Sequence, residues 1–149
     1  FDHIWGCNRL RELSGAPVYA YEAEKPLCED AVTNVSDQVG RPYTVIPDRY
    51  LKENEEITIA DMTCRLIATP GHTVGSCCYY FEEAGILVAG DTLFQESVGR
   101  TDLATGSMSA LTRSVKDKLF LLPDETKVYP GHGESTTIGH EKEYNPFVQ

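Results

Sequence analysis

The tripeptide Pro-Gly-His occurs twice in the sequence, at residues 70–72 and 130–132, and each copy follows a run of β-forming residues. Proline and glycine interrupt regular structure, so each copy predicts a strand that ends where its histidine begins a loop. The run ILVAG is predicted to be a strand that ends directly before Asp91. Loops that leave strands at one edge of a sheet direct their side chains into a common cavity. We therefore expect His72, Asp91 and His132 to converge.

Length and charge restrict the class of protein. A chain of 149 residues is long enough for one hydrophobic core and short for two domains, so one domain over residues 1–149 is expected. The 23 acidic and 13 basic residues give a net charge of −10, which repels nucleic acid and anionic membranes. The apolar runs are far shorter than the roughly 18 residues of a membrane-spanning helix. We expect a cytoplasmic protein that binds neither nucleic acid nor membrane and is compatible with homo-oligomers.

Five cysteines without a C-x-x-C pair indicate reduced thiols rather than a redox site. Two of them, Cys77 and Cys78, are adjacent in a predicted strand. Because consecutive strand residues face opposite sides, one should lie in the core and the other at the surface.

The N-terminal third is predicted to contain a helix, a strand, a second helix and a surface loop, at residues 2–14, 16–22, 27–39 and 41–56. The first helix would carry Ile4, Leu10 and Leu13 on one face and end before Gly15.

The rest of the chain is predicted to be a sheet with one long helix. Two short strands are expected within residues 57–69, then a hairpin that turns at Ala84-Gly85, and a last strand that begins at Lys127. The helix covers residues 107–122, with Ser107 as its N-cap and a buried stripe formed by Leu111, Val115, Leu119 and Leu122. His140 lies in a charged segment and is expected to be solvated.

Three of the four histidines, His3, His72 and His132, lie at turns or element ends beside glycine, proline or aspartate. One such histidine is more typical of a hydrogen-bonded structural residue than of a ligand. Three of them, together with Asp2 and Asp91, favour a metal site. Imidazole and carboxylate without thiolate are typical of a hydrolytic or oxygen-handling centre with zinc, iron or manganese, and not of structural zinc. The glycine before His72 and before His132 permits positive φ or close backbone approach.

Five segments occur in an order that resembles one enzyme family. They are DHIWG, TPGHTVGS, GDTLF, GRTDL and YPGHGE, followed by an NPF tail. With these segments the sequence resembles the metallo-β-lactamase-fold hydrolases, specifically the small glyoxalase II-like (hydroxyacylglutathione hydrolase-like) branch. The resemblance implies an α+β fold, a four-layer αβ/βα sandwich with a two-metal site at one edge of its sheets.

The resemblance also implies a ligand set. It assigns His72 to the first metal, Asp91 as the bridging carboxylate, and Asp2, His3 and His132 to the second metal. The two histidines of the family's H-x-H segment, with the opening strands, would fall before Phe1, so the chain is expected to be incomplete at its N-terminus. The intact protein would hold up to two zinc ions, with iron or manganese as alternatives, and this chain zero or one.

The activity implied by the resemblance is hydrolysis of a thioester or related acyl bond by a metal-bridging hydroxide. Asp2 would bind and orient the attacking water, although an acid at a helix start also compensates the helix dipole. Arg100 is a candidate for binding a substrate carboxylate bidentately. Its alternative role is a loop-stabilising ion pair with Asp102 or Glu96.

Two other functions fit the same residues. One is a persulfide dioxygenase-like enzyme with a single iron, because GRTD also resembles that branch. The other is a non-catalytic form or fragment whose metal site is incomplete. Iron content and oxygen uptake would identify the first, and metal analysis the second.

Overall fold

The computed structural model describes residues 1–149, and the chain forms two compact units, Phe1–Leu51 and Lys52–Gln149. None of its helices combines the length and apolar character needed to cross a lipid bilayer. All five cysteines are free thiols.

The first unit contains two helices and a two-stranded parallel sheet. Its elements are α1 Cys7–Ser14, β1 Tyr19–Tyr21, α2 Lys25–Glu29 and β2 Arg49–Leu51, with β1 paired to β2. Helix α1 ends at Gly15, whose φ of 69° allows its N–H to reach the Arg11 carbonyl. The helix is shorter than expected, and Leu10 and Leu13, on its predicted apolar face, are exposed.

The prediction of a helix over residues 27–39 is wrong, because α2 ends at Glu29. Asp30 accepts hydrogen bonds from the backbone N–H groups of Val32 and Thr33, which closes a turn in place of the next helical turn. The buried Asn34 then donates to the carbonyls of Leu27 and Tyr43. Such side-chain bonds to backbone compete with helix formation.

The loop expected over residues 41–56 also needs correction, since it contains strand β2. The Asp48 carboxylate accepts a hydrogen bond from the Val18 N–H, and the Val18 carbonyl accepts from the Asp48 N–H. These two hydrogen bonds align β2 with β1. The two strands are far apart in sequence, so local patterns do not predict their pairing.

The second unit is built on a six-stranded sheet in the order β10-β9-β6-β5-β4-β3. Its strands are β3 Glu56–Ile59, β4 Met62–Ala68, β5 Cys77–Phe81, β6 Ile86–Gly90, β9 Lys127–Pro130 and β10 Thr136–Thr137. A separate hairpin pairs β7 Leu93–Phe94 with β8 Ser97–Val98. The two expected strands within residues 57–69 and the β5–β6 hairpin are confirmed. Cys78 is buried and Cys77 half-buried, as the alternation predicted.

Two helices pack in this unit, α3 Met108–Asp117 and α4 Ile138–Tyr144. Ser107 caps α3 by accepting a hydrogen bond from the Ala110 N–H, as expected. The α-helix ends earlier than predicted, because Lys118 leaves helical geometry (φ −124°) and donates its ammonium to the Ala68 carbonyl. A 3-10 turn over Leu119–Leu121 follows.

The apolar stripe predicted over residues 107–122 is confirmed as core, although its last two leucines follow α3. Leu111, Val115, Leu119 and Leu122 are all buried, and three of them join the main apolar cluster together with residues of β4, β5, β6 and β9. Apolar burial of this kind is the main stabilising contribution to the sheet that carries the site.

Candidate metal centre

Three strands of the six-stranded sheet end at one edge. Strands β4 and β6 are each antiparallel to β5, and β9 is parallel to β6, so β4, β6 and β9 run in the same direction. The chain leaving each of these strands carries His72, Asp91 or His132. The topology therefore directs three loops, far apart in sequence, toward one place.

The structure brings the three side chains together around one oxygen atom. Nε2 of His72 lies 3.6 Å from Oδ2 of Asp91, and Nε2 of His132 lies 3.5 Å from the same oxygen. The Asp91 side chain is only 14% exposed. The convergence expected of these residues is observed, while their role as metal ligands stays a prediction.

Hydrogen bonding fixes how His72 presents its ring. Its Nδ1 lies 2.7 Å from the Arg100 carbonyl oxygen. Because a carbonyl only accepts, Nδ1 must carry the proton, which leaves Nε2 directed at Asp91 as the atom available for a metal ion. Proteins usually orient a histidine ligand in this way, through a hydrogen bond from the ring nitrogen that does not bind the metal.

The turn before His72 depends on Gly71. A Cβ at this position would overlap the backbone of Leu111 in α3. The φ of Gly71 is 152°, which residues with a side chain rarely adopt. Ser107 N–H donates to the Gly71 carbonyl, and the Ser114 hydroxyl donates to the Pro70 carbonyl. Helix α3 therefore holds the first Pro-Gly-His turn directly, which agrees with the expected close backbone approach.

Asp91 is held by the chain around it. Gly90, with φ of 50°, turns the chain out of β6, and its carbonyl accepts the Gly131 N–H. A Cβ on Gly99 would overlap the Asp91 carbonyl oxygen, so the loop after β8 packs directly on this backbone. At the second Pro-Gly-His, positive φ falls on Gly133 after the histidine, not on Gly131 before it.

Two buried threonines, which sequence reasoning missed, connect the strand ends. Thr69 follows β4 and Thr92 follows Asp91, and their hydroxyl oxygens lie 2.8 Å apart. Cys78 of the intervening strand lies 3.5 Å from the Thr69 hydroxyl. Thr69 directly before the first Pro-Gly-His and Thr92 directly after Asp91 were the available signals in the sequence.

His132 is more exposed than His72. Its ring meets the ring of Phe94 edge-on, with centroids 6.1 Å apart. The contact lies on one side of the ring, and the side chain is 56% exposed.

Arg100 forms the loop pair that was the alternative to its predicted substrate role. Its Nε and Nη2 donate to the two carboxylate oxygens of Asp102, each at 2.6 Å. The guanidinium lowers the pKa of Asp102 to about 2, and Asp102 raises the pKa of Arg100. Both side chains are exposed, so substrate binding by Arg100 stays a prediction.

His140, expected to be solvated, is half-buried. Its Nε2 lies 3.0 Å from a Glu96 carboxylate oxygen, and its ring packs on Tyr144. Helix α4 places it there, because Thr137 caps that helix by accepting from the His140 N–H. The expectation was wrong because a charged sequence context does not reveal a partner 44 residues away.

Asp2 and His3 belong to the Phe1–Leu51 unit. Both are exposed and lie in the turns before α1. Their assignment to a second metal stays a prediction.

The donor set suits a divalent metal ion. Nitrogen and oxygen ligands about 2 Å from one tetrahedral zinc ion lie roughly 3.3 Å from each other. The spacings of His72 and His132 from Asp91 are close to this value and longer than an ordinary N–H···O hydrogen bond. Imidazole and carboxylate ligands suit zinc and iron alike.

Residues 1–132 match the Metallo-beta-lactamase superfamily. The probable metallo-hydrolase YqgX of Bacillus subtilis is 39% identical over 150 residues, which cover 99% of this chain and 71% of the relative. The hydroxyacylglutathione hydrolase GloC of Haemophilus influenzae is 31% identical, with the same coverage of 99% and 71%.

Solved structures share the fold. BLEG-1 B3 metallo-beta-lactamase matches with a TM-score of 0.93 and 40% identity, over 99% of this chain and 72% of that chain. TTHA1623 in a di-iron-bound form matches with a TM-score of 0.87 and 36% identity, again over 99% and 72%. ETHE1 from Myxococcus xanthus matches with a TM-score of 0.71 and 31% identity, over 95% and 55%.

The fold expected from the sequence is confirmed as a metallo-beta-lactamase fold of mixed α and β content. This fold implies the binding of divalent metal ions, in agreement with the donor set around Asp91. On both the sequence match and the structural match, this chain belongs to the metallo-beta-lactamase superfamily.

Proposed function

We propose that this protein is a metal-dependent hydrolase of thioesters or related acyl bonds, of the glyoxalase II-like branch. The observation that carries the proposal is the single carboxylate oxygen of Asp91 that faces two imidazole nitrogens. A carboxylate shared between two histidines is suited to sit between two metal ions, an arrangement typical of hydrolytic two-metal sites.

The proposed ligand roles follow the resemblance. His72 would bind the first ion, Asp91 would be shared, and His132 would join Asp2 and His3 on the second. Zinc is the first candidate, and iron is supported by the di-iron-bound form of TTHA1623.

When bound, divalent ions supply a water of lowered pKa and a Lewis acid for the acyl carbonyl oxygen. The chain's own contribution is orientation. The backbone carbonyl of Arg100 accepts a hydrogen bond from Nδ1–H of His72. The Nε2 atom of His72 therefore directs its lone pair toward the site. Asp2 would orient the attacking water, and Asp91 would balance the positive charge of the centre.

The named relatives support the choice of reaction. GloC is described as a hydroxyacylglutathione hydrolase and YqgX as a probable metallo-hydrolase. When a metal-activated water attacks the thioester, no side-chain nucleophile is needed. The buried Cys78, whose pKa burial raises to about 11, is unsuited to that task.

The test compares this chain with a version extended by an H-x-H segment before Phe1, on a panel of acyl thioesters with added zinc. We expect near-background hydrolysis by the chain as it stands and turnover by the extended protein. Asp91→Ala in the extended protein should abolish turnover by removing the shared ligand, whereas Asp117→Ala, an exposed carboxylate on α3, should not. Rapid hydrolysis by the short chain, or by the Asp91→Ala variant, would contradict the two-metal mechanism.

A second candidate, a persulfide dioxygenase-like enzyme with one iron, is favoured by the GRTD segment and by the 31% identity to ETHE1 from Myxococcus xanthus. Purification under anaerobic conditions with Fe²⁺ would distinguish it. One iron per chain with oxygen consumption on a persulfide substrate would support this candidate, and zinc-dependent thioester hydrolysis without oxygen uptake would exclude it.

A further inference from the structure

Glu141 is a fully buried acid outside the candidate metal centre. It lies on α4 with 0% exposure, and its carboxylate accepts three hydrogen bonds. The donors are the Glu96 N–H at 2.9 Å, the Asn145 amide at 2.8 Å and the Thr136 hydroxyl at 2.5 Å. Burying a polar side chain is costly without such partners, so the three hydrogen bonds indicate a structural reason for an acid at this position.

Two of the three donors attach Glu141 to the turn between β7 and β8. Glu96 occupies that turn with φ of 51°, an uncommon conformation for a residue other than glycine. Asn145 also donates to the carbonyl of Ser97, the first residue of β8. Glu141 therefore holds the backbone of the β7–β8 hairpin both directly and through Asn145.

The same hairpin reaches both histidines of the centre. The ring of Phe94, in β7, packs edge-on against His132. Two residues after β8, the Arg100 carbonyl binds Nδ1 of His72. The hairpin itself begins two residues after Asp91.

We propose that Glu141 is a positioning residue, which fixes the β7–β8 hairpin so that His72 and His132 keep their Nε2 atoms directed at Asp91. The proposal rests on the proposed function for the role of those histidines. A movement of the turn would displace Arg100 and Phe94 together, so the orientation of both rings depends on one buried carboxylate.

The test uses the full chain and three variants. Glu141→Leu has similar size and removes all three hydrogen bonds. Glu141→Gln keeps an oxygen that can accept from Glu96 and Asn145, while its amide donates to the Thr136 hydroxyl, which can accept as well as donate. Glu143→Gln, an exposed acid on the same helix, is the matched control.

The first measurement is the tautomer of each histidine in the metal-free protein, from long-range ¹H–¹⁵N NMR at about pH 8, where imidazoles are generally neutral. We expect His72 to be a single Nδ1–H tautomer in the parent and in Glu141→Gln and Glu143→Gln. In Glu141→Leu, folded by circular dichroism at the same temperature, His72 should become a mixture of tautomers and the His132 signals should shift.

The second measurement is a Co²⁺ titration followed by visible absorption. Loss of an outer hydrogen-bonding partner typically weakens metal affinity about 10- to 100-fold, and we expect Glu141→Leu to lose at least about tenfold while Glu141→Gln retains parental affinity. A folded Glu141→Leu with unchanged tautomers and affinity would overturn the proposal, as would a Glu141→Gln variant impaired as much as Glu141→Leu.

Two further comparisons apply if Glu141→Leu does not fold or if the parent binds no Co²⁺. If Glu141→Leu does not fold, Asn145→Ala removes one of the two links to the hairpin, and the same shift in His72 tautomer is expected with a smaller loss of affinity. If the parent binds no Co²⁺, this chain alone does not form a complete metal site, and the metal-free tautomer comparison still decides whether Glu141 positions His72.

Discussion

Asp91 and Asp102 illustrate how surroundings give two carboxylates different tasks. Asp91 is largely buried and faces two imidazoles, so its oxygen is directed at groups that bind metal ions. Asp102 is exposed and bound bidentately by the Arg100 guanidinium, which lowers its pKa to about 2. Asp91 is the carboxylate that we propose as a metal ligand, whereas Asp102 pairs with Arg100, the residue whose carbonyl contacts His72.

Replacing Arg100 by alanine should raise the pKa of Asp102 from about 2 toward the ordinary 3.8. The ion pair stabilises the folded state above the ordinary pKa, and this contribution is lost as pH falls toward about 2. Carboxyl ¹³C titration of the parent and variant measures the shift, with the exposed Asp61 as an internal control. An unchanged Asp102 midpoint would contradict the pair, and added salt should reduce the difference.

The adjacent cysteines should differ sharply in reactivity. Cys78 is buried and its pKa is raised to about 11, whereas Cys77 is half-buried on the other face of β5. Since the thiolate is the reactive form, a thiol reagent at about pH 8 should modify Cys77 in the folded protein and Cys78 only after denaturation. Peptide mapping by mass spectrometry gives the order, and equal labelling of both in the folded protein would contradict the burial.

At the scale of secondary-structure elements, α3 links the core to the site. One face contributes Leu111 and Val115 to the interior. The same helix contacts Gly71 and Pro70 of the first Pro-Gly-His turn through Leu111 and Ser114. Stabilising the helix therefore also stabilises the turn that carries His72.

The 3-10 turn after α3 offers a matched pair of leucines. Leu119 is 0% exposed and Leu121 is 78% exposed. Leu119→Ala should lower the free energy of unfolding by about 2–5 kcal/mol, because it leaves a cavity in the core. Leu121→Ala should change it by less than about 0.5 kcal/mol. Urea denaturation of both variants checks this, and similar losses would contradict the assigned packing.

At the scale of the whole molecule, a metal ion at the proposed centre would couple metal binding to folding. An ion that binds only the folded chain adds about 2.7 kcal/mol of stability at a free concentration 100 times its dissociation constant. Zinc should therefore raise the melting temperature of the parent and not that of His132→Ala or Asp91→Ala. Differential scanning calorimetry with and without zinc measures this, and an equal rise in all three proteins would indicate binding elsewhere.

Metal stoichiometry is the second test at this scale. In the proposed assignment, His72 and Asp91 would supply only two of the three protein ligands that a catalytic zinc normally uses, so we expect this chain to bind no more than one ion. Elemental analysis after dialysis measures the ratio. Two tightly bound ions per chain would contradict the assignment of His72 and Asp91 as the only ligands of the first site.

Local patterns in the sequence were sufficient for the elements that support the centre. Turn-forming residues act within a few positions, so the Pro-Gly-His segments and Ala84-Gly85 marked the ends of strands correctly. Helical periodicity similarly identified the buried stripe of α3. The convergence of His72, Asp91 and His132 followed from these strand ends.

Only the tertiary structure decided which groups are partners, because hydrogen bonds and ion pairs between distant residues depend on how the elements pack. It joined β2 to β1, ended α2 at Glu29, and selected Asp102 rather than Glu96 as the partner of Arg100. It also buried Glu141 beneath the β7–β8 turn. A charged residue in a helix is usually exposed, so the sequence did not predict this burial. The sequence alone determined where the strands end, because turn-forming residues act locally. Long-range packing determined which groups orient the histidines that follow those strands.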